Sequence, residues 1–217
     1  MMEVRKSNNA RLERRSFSFA LRSEGRSDNP DKRVVRGHGA VFNSRSQDLG
    51  GFVEEIAEGA FDNALKDGVS DIRALIDHNP SLILARTSSG TLKVYPDEKG
   101  LAYEFELPDT SYARDLAVNL DNGNITQSSF AMTVARDRWE ELEDGTILRT
   151  ILEVEQLFDV SPVTYPAYTE ADVRIAKRSL NEFQESKQTP TVDYAAIRRR
   201  QLQINVNEAG LTGHKFI

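Results

Sequence analysis

The sequence predicts a mostly β domain with helices (α+β), built as a closed or nearly closed β-barrel surrounded by short helices. Three observations predict it. Runs of alternating polar and apolar residues recur along the chain. Turn residues bound most of them. Only two segments of the main body, 58–66 and 109–123, carry helical spacing. No internal repeat is visible, and 217 residues fit one large domain or one domain with tails.

The elements follow in order. Residues 1–33 read as a loose N-terminal segment with one strand, Arg15 to Arg22, which alternates polar and apolar side chains. Val34 to Phe42 reads as a strand in which Gly37 and Gly39 allow close packing or a bulge. Asp48 to Phe52 is a glycine-rich turn. Glu58 to Lys66 reads as a short helix burying Phe61 and Leu65 on one face. Asp71 to Ile76 is a strand running into Asp77-His78-Asn79-Pro80, and Pro80 places His78 near a strand end or turn. Ile83 to Arg86 and Thr91 to Tyr95 flank Thr87-Ser-Ser-Gly90 as a hairpin, and Leu101 to Leu107 is a further strand.

The clearest helix runs from Asp109 to Gly123, capped by Asp109 or Thr110 and stopped by the glycine. Ile125 to Arg136 is a long strand, Asp144-Gly145 a hairpin turn, and Thr146 to Phe158 the returning strand. Pro162 and Pro166 predict an ordered irregular segment after it. After Ala176 the composition turns polar and basic. Residues 177–217 read as a tail outside the core, with a basic helical stretch from Tyr194 to Ile204.

Composition narrows the function. Cysteine is absent, which removes disulfides, thiolate metal sites and a Cys nucleophile. The three histidines, His38, His78 and His214, are too few for a poly-histidine zinc site, so no metal and no cofactor are expected. Residues 37–176 carry 11 basic and 25 acidic groups, while both ends are basic. An acidic body does not fit a nucleic-acid surface. The N-terminus has no apolar stretch behind its charges and no run reaches membrane-spanning length, so neither a secretory signal nor a membrane partner is expected.

Serine hydrolysis needs a hydroxyl, an imidazole within hydrogen-bond reach and a third group that orients the imidazole. The candidates are His78 at a strand end, Ser128 and Ser129 on one strand, and Glu153 and Glu155 on the returning strand. Consecutive strand residues face opposite sides, so only one of the two serines can share the reactive face. From spacing alone these residues read more simply as a turn histidine, cross-strand polarity and the solvent side of an amphipathic strand.

Four co-linear blocks carry a resemblance. They are Gly39-Ala-Val-Phe-Asn43 with Asp48 to Phe52 and Ile56 to Phe61; Asp71 to Asn79 with Leu84 to Leu92; Leu107 to Leu116 with Ile125 to Met132; and Glu153 to Tyr168. Over residues 34–176 the chain resembles the prohead proteases of tailed bacteriophages, capsid-maturation serine proteases related in fold to herpesvirus assemblins. The resemblance implies an assemblin-like barrel, with 34–176 as the protease domain. It makes His78 the general base and Ser129, before Phe130, the nucleophile. Ser128 stands where the family often has methionine, and Ala131 where it often has glycine. Assemblins place a second histidine on a later strand. This chain has none there, and Glu153 takes the comparable place, with Glu155 the alternative and Asp159 further along. Oxyanion donors are expected from backbone N–H groups.

The implied biology is a serine endopeptidase of a phage or prophage, in the host cytoplasm and within the procapsid. Its substrates would be scaffold segments, major-capsid-protein extensions and itself, with oligomer formation open. The tail 177–217 fits a removable segment. The alternatives are a catalytically inactive procapsid assembly or scaffold-interaction protein, and an unrelated ligand-binding β-barrel.

Overall fold

The computed structural model describes residues 3–6, 12–17, 21–25, 33–165 and 180–185. The chain divides into two compact units, Met1–Leu180 and Asn181–Ile217. In the second, described residues 181–185 are helical; the rest of the predicted tail, with its basic stretch, lies outside the described residues. Among the described residues no helix is long and apolar enough to cross a membrane.

The first unit is mostly β. Its strands are β1 (Glu3–Lys6), β2 (Glu13–Phe17), β3 (Arg22–Gly25), β4 (Arg33–Val41), β5 (Val53–Ile56), β6 (Arg73–Ile76), β7 (Asn79–Arg86), β8 (Leu92–Pro96), β9 (Gly100–Glu106), β10 (Gln127–Glu141) and β11 (Ile147–Val163). The helix α1 (Ser111–Asp121) lies between β9 and β10. A seven-stranded sheet runs β1-β10-β11-β6-β7, with β2 also on β10 and β5 also on β11; a four-stranded sheet runs β3-β4-β9-β8. Among the described residues neither sheet closes on itself, so the predicted barrel is not found; the core lies where β4 packs across β10 and β2.

Local chemistry explains most elements. Thr110 caps α1 by accepting from Ala113 N at 3.3 Å, and Ala113, Leu116, Ala117 and Leu120 form its buried face. The β10–β11 hairpin turns at Asp144-Gly145, with Gly145 at φ 81° and Leu142 N donating to Thr146 O at 2.8 Å. The register of β4 on β9 skips Gly39, the predicted bulge. A side chain there would meet Val160 at 3.3 Å and Phe130 at 3.6 Å, so the missing Cβ lets the two sheets approach.

Four expectations are corrected. Residues 58–66 form successive turns, not a helix: Gly59 sits at φ 78°, and bonds such as Ala60 N to Ala57 O and Asp62 N to Gly59 O span three residues. The turn at Thr87–Gly90 does not join a hairpin, because β7 pairs with β6 and β8 with β9. Likewise β2 and β3 are separate strands in different sheets. Finally, β11 continues through Pro162. That residue's carbonyl accepts from Asp77 N at 3.0 Å. A residue's N–H and C=O point to the same side of a strand, so the missing donor faces the turn after β6 and leaves the β10 ladder intact.

A buried ion cluster fastens β2 and β5 to the β10–β11 hairpin. Arg15 pairs with Glu54 at 2.5 and 2.9 Å and with Glu13 at 2.5 Å. Arg149 pairs with Glu13 and Asp137 at 2.7 Å each and with Glu54 at 2.9 Å, its guanidinium 5.6 Å from the Trp139 ring centroid. Burial alone would favour a neutral Glu13, but Arg149 and Arg15 outweigh it and hold its carboxyl at about 2.

Two predictions follow from this architecture. A Cβ on Gly100 would lie 2.0 Å from Ala40 O, whereas one on Gly68 meets nothing within 4 Å. Denaturant unfolding is therefore expected to show Gly100→Ala costing at least about 2–3 kcal/mol by overpacking, and Gly68→Ala only the ~1 kcal/mol of its positive φ. The Glu13 carboxyl is depressed on folding, so its stabilisation is complete above its unfolded value of 4.5 and is lost as pH falls through about 2. Unfolding free energies between pH 6 and 2 should show this acid-side loss, and Glu13→Gln should flatten it.

Candidate active site

Three neighbouring strands meet at the site. Ser129 lies on β10, Asp159 on β11 beside it, and His78 just after β6, which pairs with β11 at Asp159 and Val160. His78 Nε2 lies 2.6 Å from Ser129 Oγ, and His78 Nδ1 lies 2.6 Å from Asp159 Oδ1. A carboxylate only accepts, so Nδ1 carries a proton and donates to Asp159. Ser161 donates to the same Asp159 oxygen at 2.6 Å. Ser129 Oγ also lies 2.9 Å from the Arg15 carbonyl of β2, a second acceptor for its one proton.

The backbone sets these positions. Ile76 and Asn79 are paired, so Asp77 and His78 form a two-residue turn, with φ of 51° and 55°. Positive φ at both central residues is the requirement of the tight hairpin turn whose twist matches its strands. Neither residue is glycine, so the conformation is held from outside. Asp77 accepts from Thr164 N at 2.7 Å and Thr164 Oγ1 at 2.9 Å, and its own N–H donates to Pro162 O. The turn is thereby tied to the end of β11, a few residues from Asp159.

Strand parity separates the two serines. Ser128 Oγ lies 2.6 Å from Tyr103 OH, and burial pushes the Tyr103 hydroxyl's pKa well above its usual value. Ser128 and Phe130 thus face the second sheet, while Ser129 faces His78. His38, outside the resemblance's site, pairs instead with Asp97 at 2.8 Å.

The third position is corrected. Glu153 does not reach His78: it is opposite Arg136, with its carboxylate 3.6 Å from that guanidinium and its side chain 37% exposed. Glu155 is exposed. Six residues of strand separate Glu153 from Asp159, roughly 20 Å at about 3.3 Å per residue. The resemblance points to the right strand but to a position too early along it: Asp159 is level with Ala131 and Ser161 with Ser129, whereas Glu153 is opposite Arg136. Leu152, Glu155 and Phe158 have no partner in the β10 register, and each extra residue resets which parity points inward. The core face of β11 accordingly runs Ile151, Val154, Leu157, Val160, while Glu153, Gln156, Asp159 and Ser161 share the other. The signal that could have found Asp159 is its place within Phe158-Asp-Val-Ser-Pro, a lone carboxylate in an otherwise apolar run. Among the described residues no group of three or more His, Asp or Glu is arranged to hold a metal.

A serine, an imidazole and a carboxylate in series make a hydrolytic arrangement. The family model for the caudovirus prohead serine protease matches residues 17–186. The chain belongs to that family. No curated protein matches it. Among solved structures, the bacteriophage T4 capsid assembly protease gp21 is similar at 11% identity, with 72% of this chain and 99% of that one covered and a TM-score of 0.46.

The geometry is checked without any substrate. The Nδ1 proton of His78, held 2.6 Å from a carboxylate oxygen, should give a strongly downfield proton resonance. It is expected to vanish in Asp159→Asn and persist in Glu153→Gln.

Proposed function

We propose that this prohead protease is a serine endopeptidase that cleaves scaffold or major-capsid-protein extensions, and itself, inside the procapsid, with Ser129 as nucleophile, His78 as general base and Asp159 as the orienting carboxylate. The reading is supported by family membership together with one observation, the continuous Ser129–His78–Asp159 contact chain.

The chemistry follows from the positions. Ser129 Oγ attacks the carbonyl carbon of the scissile peptide while its proton passes to His78 Nε2. Asp159, accepting from Nδ1, favours the imidazolium that results, and Ser161 helps hold that carboxylate in place. His78 then gives the proton to the leaving nitrogen as the C–N bond breaks, leaving an ester on Ser129. Water, deprotonated by the same imidazole, hydrolyses the ester and restores the hydroxyl. The enzyme needs no redox partner for this cycle.

Co-expression with the capsid and scaffold proteins of the same phage, read by mass spectrometry, tests the proposal. Ser129→Ala is expected to abolish cleavage while costing about 1–3 kcal/mol of stability, since two buried partners lose a contact. Asp159→Asn should lower the rate by about 10²–10⁴, as in other oriented-imidazole sites, and Glu153→Gln should stay close to wild type. Trimming within 177–217 should occur in wild type and not in Ser129→Ala. Uncut partners in the presence of folded wild-type protein would instead support the inactive assembly role.

A further inference from the structure

The nucleophile is sealed. Ser129 is 0% exposed and the His78 side chain 7% exposed, so no peptide reaches them in this arrangement. One element covering them is β2, which lies antiparallel along β10 from Ser128 to Met132 and places the Arg15 carbonyl on Ser129 Oγ. A hydroxyl carries one proton, and here Arg15 O competes with His78 Nε2 for it. The serine that donates to Arg15 O is not being deprotonated by His78. The contact is to the carbonyl oxygen, so β2 sits as an occupant rather than as a peptide under attack.

We propose that β2 fills the enzyme's own substrate site, and that this site takes an extended peptide with an acidic residue two positions before a basic residue whose carbonyl meets Ser129. The inference rests on the serine-protease reading given above. An extended peptide adding to the edge of β10 would gain the same ladder that β2 makes. Selectivity comes from the ion cluster. Glu13 and Arg15, two apart on one strand, send their side chains to one face. Glu54 receives the Arg15 guanidinium through two contacts, and Arg149 receives the Glu13 carboxylate at 2.7 and 3.1 Å. With β2 displaced, Glu54, Asp137 and Arg149 remain, Glu54 without the Arg15 guanidinium and Arg149 without the Glu13 carboxylate. An incoming acid–x–base peptide restores both pairings, whereas an uncharged one leaves them open. The N-terminal strand therefore acts as a tethered competitor, held at high effective concentration until it is pulled away.

The test uses the full chain in three forms: wild type, Glu13→Ala/Arg15→Ala, and Ser16→Pro, which breaks the strand at the partner of Ser129 without touching the cluster. Each is treated with a fluorophosphonate probe, and labelling of Ser129 is followed by peptide mass. Labelling in a folded β2 variant is expected to be at least about tenfold faster than in wild type. A synthetic peptide of residues 10–19 should slow labelling of that variant, and alanine at the Glu13 or Arg15 position should weaken the competition about tenfold or more. Equal labelling of wild type and both variants would overturn β2 as the cover. Competition that ignores the two charged positions would overturn the selectivity. Folded variants that neither label nor cut any capsid or scaffold protein would remove the protease reading itself, a result distinguishable from the other two.

Discussion

The path of β11 is the constraint on which the site depends. This 17-residue strand is paired on both sides, antiparallel to β10 along its length and parallel to β5 and then β6 on the other edge. A strand hydrogen-bonded on both sides cannot shift register without breaking two ladders at once. Its central position puts Asp159 between the strand that carries Ser129 and the strand that delivers His78. The three side chains need not be steered by loops, because neighbouring strands lie about 4.8 Å apart and a side chain from each spans the gap. The two unpaired residues of β11 between Glu153 and Asp159 offset one another, so Asp159 shares Glu153's face and differs from it by its place along the strand.

The two polar clusters of the large sheet illustrate different uses of burial. Around Arg15 and Arg149, three carboxylates face two guanidiniums in a dry setting. Such a cluster contributes little net stability compared with apolar packing, but loss of one member costs about 3–5 kcal/mol because a partner is stranded. It ties Glu13 and Arg15 of β2 to Glu54 of β5 and Arg149 of β11. Around His78 the carboxylate is satisfied by one imidazole and one hydroxyl, which leaves the imidazole's second nitrogen for the serine.

The sequence made some of this legible and hid the rest for definable reasons. Helix α1, the β10–β11 hairpin and the Gly39 bulge follow from caps, an Asp-Gly turn and a glycine pair, all local signals. His78 and Ser129 were legible through resemblance, and their contact arises from strand neighbours 51 residues apart in sequence. Asp159 was obscured because which residue of β11 stands beside His78 depends on its register with β10 and β6, which a count along one strand does not give. The Glu58–Lys66 segment misled because a left-handed Gly59 breaks the spacing that Phe61 and Leu65 suggest. The role of β2 had no local signal at all: Glu13-Arg-Arg15 reads as charged tail until its partners on β5, β10 and β11 are known.

The turn at Asp77-His78 has an evolutionary corollary. Left-handed backbone suits Asn-Gly, and each other residue held there costs of order 1 kcal/mol. A chain selected for folding alone would drift toward Asn-Gly at these two positions and become more stable. Keeping Asp and His at positive φ means stability is continuously forgone for the placement of one imidazole. A relative that had ceased to need that imidazole would be free to relax, so the identity of these two residues becomes a marker for whether hydrolysis is still under selection.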